Sequence, residues 1–237
     1  MLLMAANNPS FTTARATAQR NNFTIKSMTK IHLRLLELTL LMVGVPVAMA
    51  LWLPPKAILP VLLGMVILCR ALIGRQLPLR VFWNARAVCW ANLRPLLLRF
   101  LACAAMLFAA TYALHPELLF SFVKASPAFW AIVMLLYPLI SVIAQELVFR
   151  VYVFERFASV LSPRALVWIS ALGFGFAHIV LKNWVAPLLC LVGGVIFATT
   201  YRRHRSLALV SIEHALYGDF LFTLGLGRYF YHGAVGG

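Results

Sequence analysis

The residues in this chain best able to do chemistry are a few carboxylates and histidines that lie within or beside apolar stretches. Only six of the 237 residues are Asp or Glu. Ionisable groups are costly in an apolar segment, so they usually face a partner or a water-filled cavity. We therefore expect a functional site where they concentrate. The side chains concerned are Glu146, Glu155, Glu213, Asp219, His178 and His214.

Three short segments carry most of these side chains. They are Gln145-Glu146-Leu-Val-Phe-Arg150, Phe174-Gly-Phe-Ala-His178 and Glu213-His214-Ala-Leu-Tyr217-Gly218-Asp219. In the first segment Glu146 and Arg150 are four residues apart, so they meet on one face of a helix. The same side chains could instead have a purely structural role. Glu146 and Arg150 would then be an ion pair that neutralises itself within the bundle, and each histidine would be a hydrogen-bonded core residue.

The depth of these residues along their helices favours one shared site. Counted from basic residues at the predicted inner ends, Glu146 and His214 lie roughly 14–15 Å deep and His178 about 21 Å deep at 1.5 Å per residue. A carboxylate and two imidazoles at similar depth provide a base, a proton donor and an oxyanion stabiliser for hydrolysis. The same three residues form a His₂Glu ligand set for zinc with an open position.

The composition determines what kind of element holds these residues. Hydrophobic residues make up 63% of the chain and charged residues 11%, against roughly 25% charged in soluble domains. The apolar residues form long runs, which favours membrane-spanning helices over a barrel. The sequence predicts an all-α, polytopic transmembrane helix bundle of about seven spans, with the motifs on the last four helices. The runs are 35–54, 57–74, 96–114, 128–154, 165–182, 184–200 and 206–226.

The net charge of +15 reflects topology rather than a nucleic-acid partner. With the N-terminus in the cytoplasm, 15 basic residues lie on the inner side and 4 on the outer side, as the positive-inside rule requires. We expect membrane lipids as partners and no nucleic acid. The basic inner loops and the lack of a cleaved signal favour a bacterial plasma membrane, although an organelle membrane follows the same rule.

The composition also divides the chain into regions. Residues 1–31 are predicted to be a basic polar tail, and residues 32–127 the N-terminal helices. Mixed arginines and aromatics at about 75–95 predict an interfacial segment within the second region. A helical core follows at 128–227, and a C-terminal tail at 228–237.

Taken in order, the three motif segments resemble the CAAX protease and bacteriocin-processing enzyme family of intramembrane proteases, which includes the type II CAAX prenyl endopeptidases. That family shows Glu-Glu-x-x-x-Arg, then Phe-x-x-x-His, then His-x-x-x-Asn on successive membrane helices. The likeness covers roughly Ala128 to Gly227. It implies hydrolysis of a peptide bond in or near the membrane, in the tail of a lipidated protein or in a membrane-inserted peptide.

The resemblance also implies roles for individual residues. Glu146 activates water with help from His178, His214 stabilises the oxyanion or binds a metal, and Arg150 orients Glu146. Phe174 is the first residue of the second motif. The resemblance leaves open whether the site uses a divalent metal such as zinc, held by Glu146, His178 and His214, or no metal.

Two positions depart from the family pattern. The first glutamate of the pair is Gln145, and the asparagine of the third motif is Gly218. Asp219 and Tyr217 are the candidates to replace the asparagine. These departures keep open a catalytically inactive family member that acts as a membrane scaffold. An ion- or proton-coupled transporter is the other alternative, although the spans show no inverted repeat.

Overall fold

The computed structural model describes residues 28–74 and 78–230. Those residues form helices and no strands, so the predicted all-α fold is confirmed. Within them, six helices are long and apolar enough to cross a membrane, as a polytopic membrane protein requires. They are α1 (Met28–Trp52), α4 (Trp90–Leu114), α6 (Pro127–Phe157), α7 (Pro163–Leu181), α8 (Val185–His204) and α9 (Leu207–Leu224).

Three shorter helices complete this numbering: α2 (Ile58–Ile73), α3 (Leu79–Trp83) and α5 (Ser121–Ala125). The apolar α2 corresponds to the second of the seven predicted spans. It has 16 residues, or about 24 Å of helix, against ~30 Å of hydrocarbon. The count of seven spans and the side on which each terminus lies therefore stay predictions.

The regions predicted from composition can be placed on the helices of the structure. Helix α1 begins at Met28, inside the segment predicted as a polar tail, and residues 1–27 lie outside the described residues. The predicted helical core is occupied by α6 to α9. A short 3-10 turn, Leu226–Tyr229, follows α9. Residues 231–237 of the predicted C-terminal tail also lie outside the described residues.

The predicted interfacial segment at 75–95 contains short elements. Helix α3 is followed by a 3-10 turn, Ala85–Ala87, and α4 then begins at Trp90. Residues 75–77 lie outside the described residues. Trp83 and Trp90 are both exposed, which suits aromatic side chains at the headgroup level.

The chain divides into two compact units, one up to Leu41 and one from Met42 onward. In the first, the described residues are helical, and His32 Nδ1 donates a hydrogen bond to the Met28 carbonyl at 2.8 Å. All the candidate site residues belong to the second unit.

Serine caps set where two of the motif helices begin. The Ser162 hydroxyl accepts from the Ala165 N–H at 3.2 Å, and Pro163 occupies the first turn of α7. The Ser206 hydroxyl accepts from the Leu209 N–H at 3.0 Å at the start of α9. Such caps satisfy backbone donors that have no partner within the helix. They help to fix the register in which His178 and His214 are presented.

Helix α6 carries the first motif where its helical repeat changes, with Gln145 and Glu146 between two π-helical segments and Arg150 within the second. Residues Tyr137–Val142 and Leu147–Tyr152 are π-helical, and Ile143–Glu146 between them is α-helical. Single π-helical turns inside α-helices occur frequently at functional sites. Gln145 and Glu146 thus lie at the point where the helical repeat changes.

Helices α7 and α8 are in close contact at Gly194. A Cβ at that position would lie 2.9 Å from the Ala171 Cα and 3.1 Å from the Ala171 carbonyl oxygen. Both are backbone atoms, so they cannot move aside as the end of a flexible side chain does. Small residues at helix contacts commonly permit such close approach between membrane helices.

We predict that Gly194→Ala destabilises the protein by about 1–3 kcal/mol, because the added methyl overpacks the α7–α8 contact. Gly64→Ala is the matched control, since a Cβ at Gly64 in α2 has nothing within 4 Å. That control is expected to be neutral or slightly stabilising. Thermal unfolding of the two variants in detergent micelles measures the difference. Equal melting temperatures would contradict the close contact.

Candidate active site

The centre of the site is the fully buried carboxylate of Glu146 on α6. Its Oε1 accepts a hydrogen bond from His214 Nδ1 of α9 at 2.7 Å. Its Oε2 lies 3.2 Å from Nε of Arg150, one turn along the same helix. The two motifs predicted to converge are therefore in direct contact, and Glu146 and Arg150 meet as their spacing predicts.

Arg150 is also fully buried and lies among aromatic rings. Its guanidinium carbon is 4.4 Å from the ring centroid of Phe174 on α7 and 5.4 Å from that of Phe197 on α8. Its Nη2 donates to the Gly194 carbonyl at 3.5 Å. The cation is therefore stabilised by one carboxylate and two ring faces, beside the close contact of α7 and α8 at Gly194.

The tautomer of His214 follows from its two partners. A carboxylate only accepts hydrogen bonds, so the Nδ1 that faces Glu146 carries the proton and Nε2 carries the lone pair. The hydroxyl of Tyr137 on α6 donates to this Nε2 at 3.1 Å. The ring of Phe197 stacks on the imidazole, with centroids 4.6 Å apart and planes 21° apart. His214 is thus held on both nitrogens and on one face.

His178 presents a different pattern at the end of α7. It begins the final 3-10 turn, His178–Leu181, and its Nδ1 donates to the Phe174 carbonyl at 2.7 Å. A carbonyl only accepts, so the lone pair of His178 is on Nε2. The Phe174 ring lies 4.9 Å from the His178 ring and 5.4 Å from the His214 ring, centroid to centroid. One phenylalanine therefore contacts both imidazoles.

Gln145 lies beside Glu146 but has different partners. Its side-chain amide donates to the Ser141 hydroxyl at 2.7 Å. Its Oε1 is buried and has no hydrogen-bond partner among the described residues. The position that holds the first glutamate of the family motif therefore presents an acceptor oxygen that carries no charge.

Two further acids of the apolar segments, Glu213 and Glu155, each pair with a different arginine. Glu213 is fully buried and pairs with Arg99 of α4, which also donates to the Thr200 hydroxyl at 2.9 Å. Glu155 pairs with Arg205 at 2.8 Å near the C-terminal ends of α6 and α8. Both acids therefore act as ties between helices.

Neither candidate replacement for the missing asparagine contacts His214 by a hydrogen bond within the described residues. The Tyr217 ring packs edge-on against Phe197 at 5.6 Å and Phe100 at 5.3 Å. Asp219 is half-buried, and its Oδ1 has no hydrogen-bond partner in the described part of the chain.

The residues implied as zinc ligands do not fit a metal ion in this arrangement. His214 Nδ1 carries its proton toward Glu146, and the second oxygen of Glu146 faces the cationic Arg150. A dication would compete with both. Within residues 28–74 and 78–230, no three His, Cys, Asp or Glu side chains are grouped to hold a metal.

Sequence reasoning missed three residues that shape the site: Tyr137, Phe197 and Arg99. An aromatic residue in an apolar helix carries no pattern that separates it from a core residue. Arg99 was detectable, because the buried acid Glu213 requires a cation and Arg99 lies in another apolar helix.

We predict that Glu146→Gln destabilises the protein by about 3–5 kcal/mol, because it leaves the buried Arg150 without its carboxylate. Glu155→Gln is the matched control on the same helix. Its arginine partner is half-exposed, so we expect a loss of about 1 kcal/mol or less. Unfolding in mixed detergent micelles provides the comparison, and similar losses in the two variants would count against the buried pair.

A family model described as type II CAAX prenyl endopeptidase, Rce1-like, matches residues 126–218. The match is shorter than half of the chain but contains all three motifs. No curated protein and no solved structure matches the chain. The family resemblance is thus confirmed: residues 126–218 of this membrane protein, which contain all three motifs, are similar to the Rce1-like, type II CAAX prenyl endopeptidase family.

Proposed function

We propose that this chain is an intramembrane endopeptidase that hydrolyses a peptide bond through a histidine-activated water. The observation that supports this most directly is the pair of imidazoles around Phe174. Each has its Nδ1 proton committed to an oxygen acceptor, so each directs the basic Nε2 elsewhere. A positioned imidazole of this kind is the commonest general base in enzymes.

In this proposal His178 is the general base. Its side chain is half-buried, and its Nδ1–H bond to the Phe174 carbonyl fixes the orientation of the ring. Glu146 supports His214 instead of contacting water, because both of its oxygens face buried partners. Arg150 holds the second oxygen of Glu146, so the carboxylate keeps a single orientation.

The reaction follows from these positions. Nε2 of His178 removes one proton from water as the water oxygen attacks the carbonyl carbon, and the carbonyl π electrons move to the oxygen. The C–N bond then breaks, and His178 gives the proton to the departing nitrogen. The products are a carboxylic acid and an amine. The His214 side of the site stabilises the negative charge that forms on the oxygen.

The helices that carry the site limit the class of substrate. The catalytic side chains belong to α6, α7 and α9, which are long and apolar enough to lie within a membrane. A substrate must therefore be membrane-inserted or held at the membrane by a lipid. The family description supports a prenylated C-terminal tail as the first substrate to test. The excess of basic residues on one side supports a bacterial plasma membrane as the location.

We predict that His178→Ala lowers kcat/KM at least 100-fold, since loss of a general base removes about 10²–10⁴ of rate. The probes are a farnesylated peptide ending in a Cys-a-a-X sequence and an unlipidated transmembrane peptide, each presented in phospholipid vesicles with the purified protein. Products are identified by mass spectrometry. His115→Ala is the control, because His115 is an exposed histidine in the loop between α4 and α5.

Unchanged cleavage by His178→Ala would remove His178 from the mechanism. If the parent protein cleaves neither peptide, the endopeptidase proposal fails for these substrate classes. Proton or sodium flux through the same vesicles, without proteolysis, would instead support a transporter.

A second candidate function, a catalytically inactive membrane scaffold, is favoured by one observation. Gln145 stands where the family motif has a glutamate, and an amide cannot accept a proton from water as a carboxylate does.

We predict that the parent protein cleaves the probe peptides without any substitution at Gln145, because His178 provides the base. The variant Gln145→Glu tests the alternative, with Gln145→Met as an uncharged control of similar length. An inactive parent that gains cleavage only in Gln145→Glu would support the scaffold. The same vesicle assay measures all three proteins.

A further inference from the structure

Tyr137 of α6 lies directly against the backbone of Gly218 on α9. A Cβ built at Gly218 would collide with Cε1, Cζ and the hydroxyl oxygen of Tyr137, all closer than real Cβ atoms approach other atoms. The tyrosine ring therefore occupies the space that a side chain at position 218 would need. This is the position at which the family pattern has asparagine, and a side chain there would require the Tyr137 ring to move.

The hydroxyl of this tyrosine is held within the proposed active site. It donates to His214 Nε2 at 3.1 Å, and His214 in turn donates to Glu146 at 2.7 Å. The ring packs edge-on against Phe222 at 5.2 Å and against His214 at 6.1 Å. Three polar groups from α6 and α9 therefore form one hydrogen-bonded chain that ends at the phenol.

Two other donors near His214, Arg150 Nη1 and the Tyr217 hydroxyl, have no hydrogen-bond partner among the described residues, so neither is bonded to His214 as the Tyr137 hydroxyl is. The one N–H of His214 is committed to Glu146. The side-chain amide of Gln145 donates to Ser141. The guanidinium of Arg150 is fully buried beneath the Phe174 ring. A carboxylate such as Asp219 accepts and does not donate.

We propose that Tyr137 supplies the hydrogen-bond donor that position 218 lacks, and that its hydroxyl stabilises the substrate's carbonyl oxygen during attack. In the resting protein the O–H points at His214 Nε2. Rotation about the Cζ–O bond redirects this proton toward the substrate without moving any heavy atom of the site. This inference rests on the proposed function, because it names the group that stabilises the oxyanion in that reaction.

The kinetic test is Tyr137→Phe, which removes the hydroxyl and keeps the ring against Gly218. We expect kcat for the probe peptide to fall about 100-fold with KM changed less than threefold, as for loss of one oxyanion donor. Tyr112→Phe is the control, since Tyr112 is an exposed tyrosine on α4. Parental kcat in Tyr137→Phe, or a comparable loss only in Tyr217→Phe, would overturn the assignment to Tyr137.

A second test swaps the two side chains and needs no substrate for its first readout. Gly218→Asn is expected to lower Tm in the parent, because the new side chain collides with Tyr137. In a Tyr137→Ala background the same substitution is expected to leave Tm unchanged and to raise kcat at least tenfold. Equal Tm losses from Gly218→Asn in both backgrounds would show that the two positions are independent.

Different measurements test the endopeptidase proposal and the Tyr137 hydrogen bond. A parent that cleaves no probe peptide rejects the endopeptidase proposal. The Tyr137 donor is then tested by the ¹⁵N chemical shift of His214 Nε2 in histidine-labelled protein. A shift change in Tyr137→Phe that is absent in Tyr112→Phe supports the hydrogen bond, and an unchanged shift overturns it.

Discussion

The Glu146 carboxylate is an ionised group with no exposed surface, in a helix apolar enough to lie within a membrane. A buried charge of this kind is tolerated only when its partners are close and well oriented. One oxygen is bound by His214 of α9, and the other faces Arg150 of the same helix. Arg150 in turn contacts rings from α7 and α8. A single negative charge thus determines how four helices meet.

The second buried acid, Glu213, is also paired with an arginine, but it joins a different pair of helices. Glu213 pairs with Arg99 and so joins α9 to α4. It is the chain neighbour of His214, so the two side chains leave α9 in different directions. One direction leads to the proposed active site and the other to the N-terminal helices. The acid-rich segment of α9 therefore combines a structural tie with a chemical group.

Much of this arrangement was predictable from the sequence because charge is scarce in it. An acid inside an apolar run must find a partner, and the spacing of Glu146 and Arg150 identified one in the next turn. The all-helical fold follows from the same scarcity. Tyr137 was not predictable, because nothing in an apolar helix distinguishes a tyrosine that bonds to His214 from one that only packs. The packing of the Tyr137 ring against Gly218 becomes visible only in three dimensions.

The neighbouring positions of Glu213 and His214 also bear on how the protein is made. Helices α4 and α6 leave the ribosome earlier than α9, carrying Arg99 and Glu146 with them. Glu146 is already paired with Arg150, so α6 enters the membrane with its charges nearly neutralised. Arg99 has no carboxylate of its own until α9 is inserted. Because Glu213 and His214 are adjacent in the chain, the insertion of α9 supplies Arg99 with its carboxylate and Glu146 with its imidazole partner together.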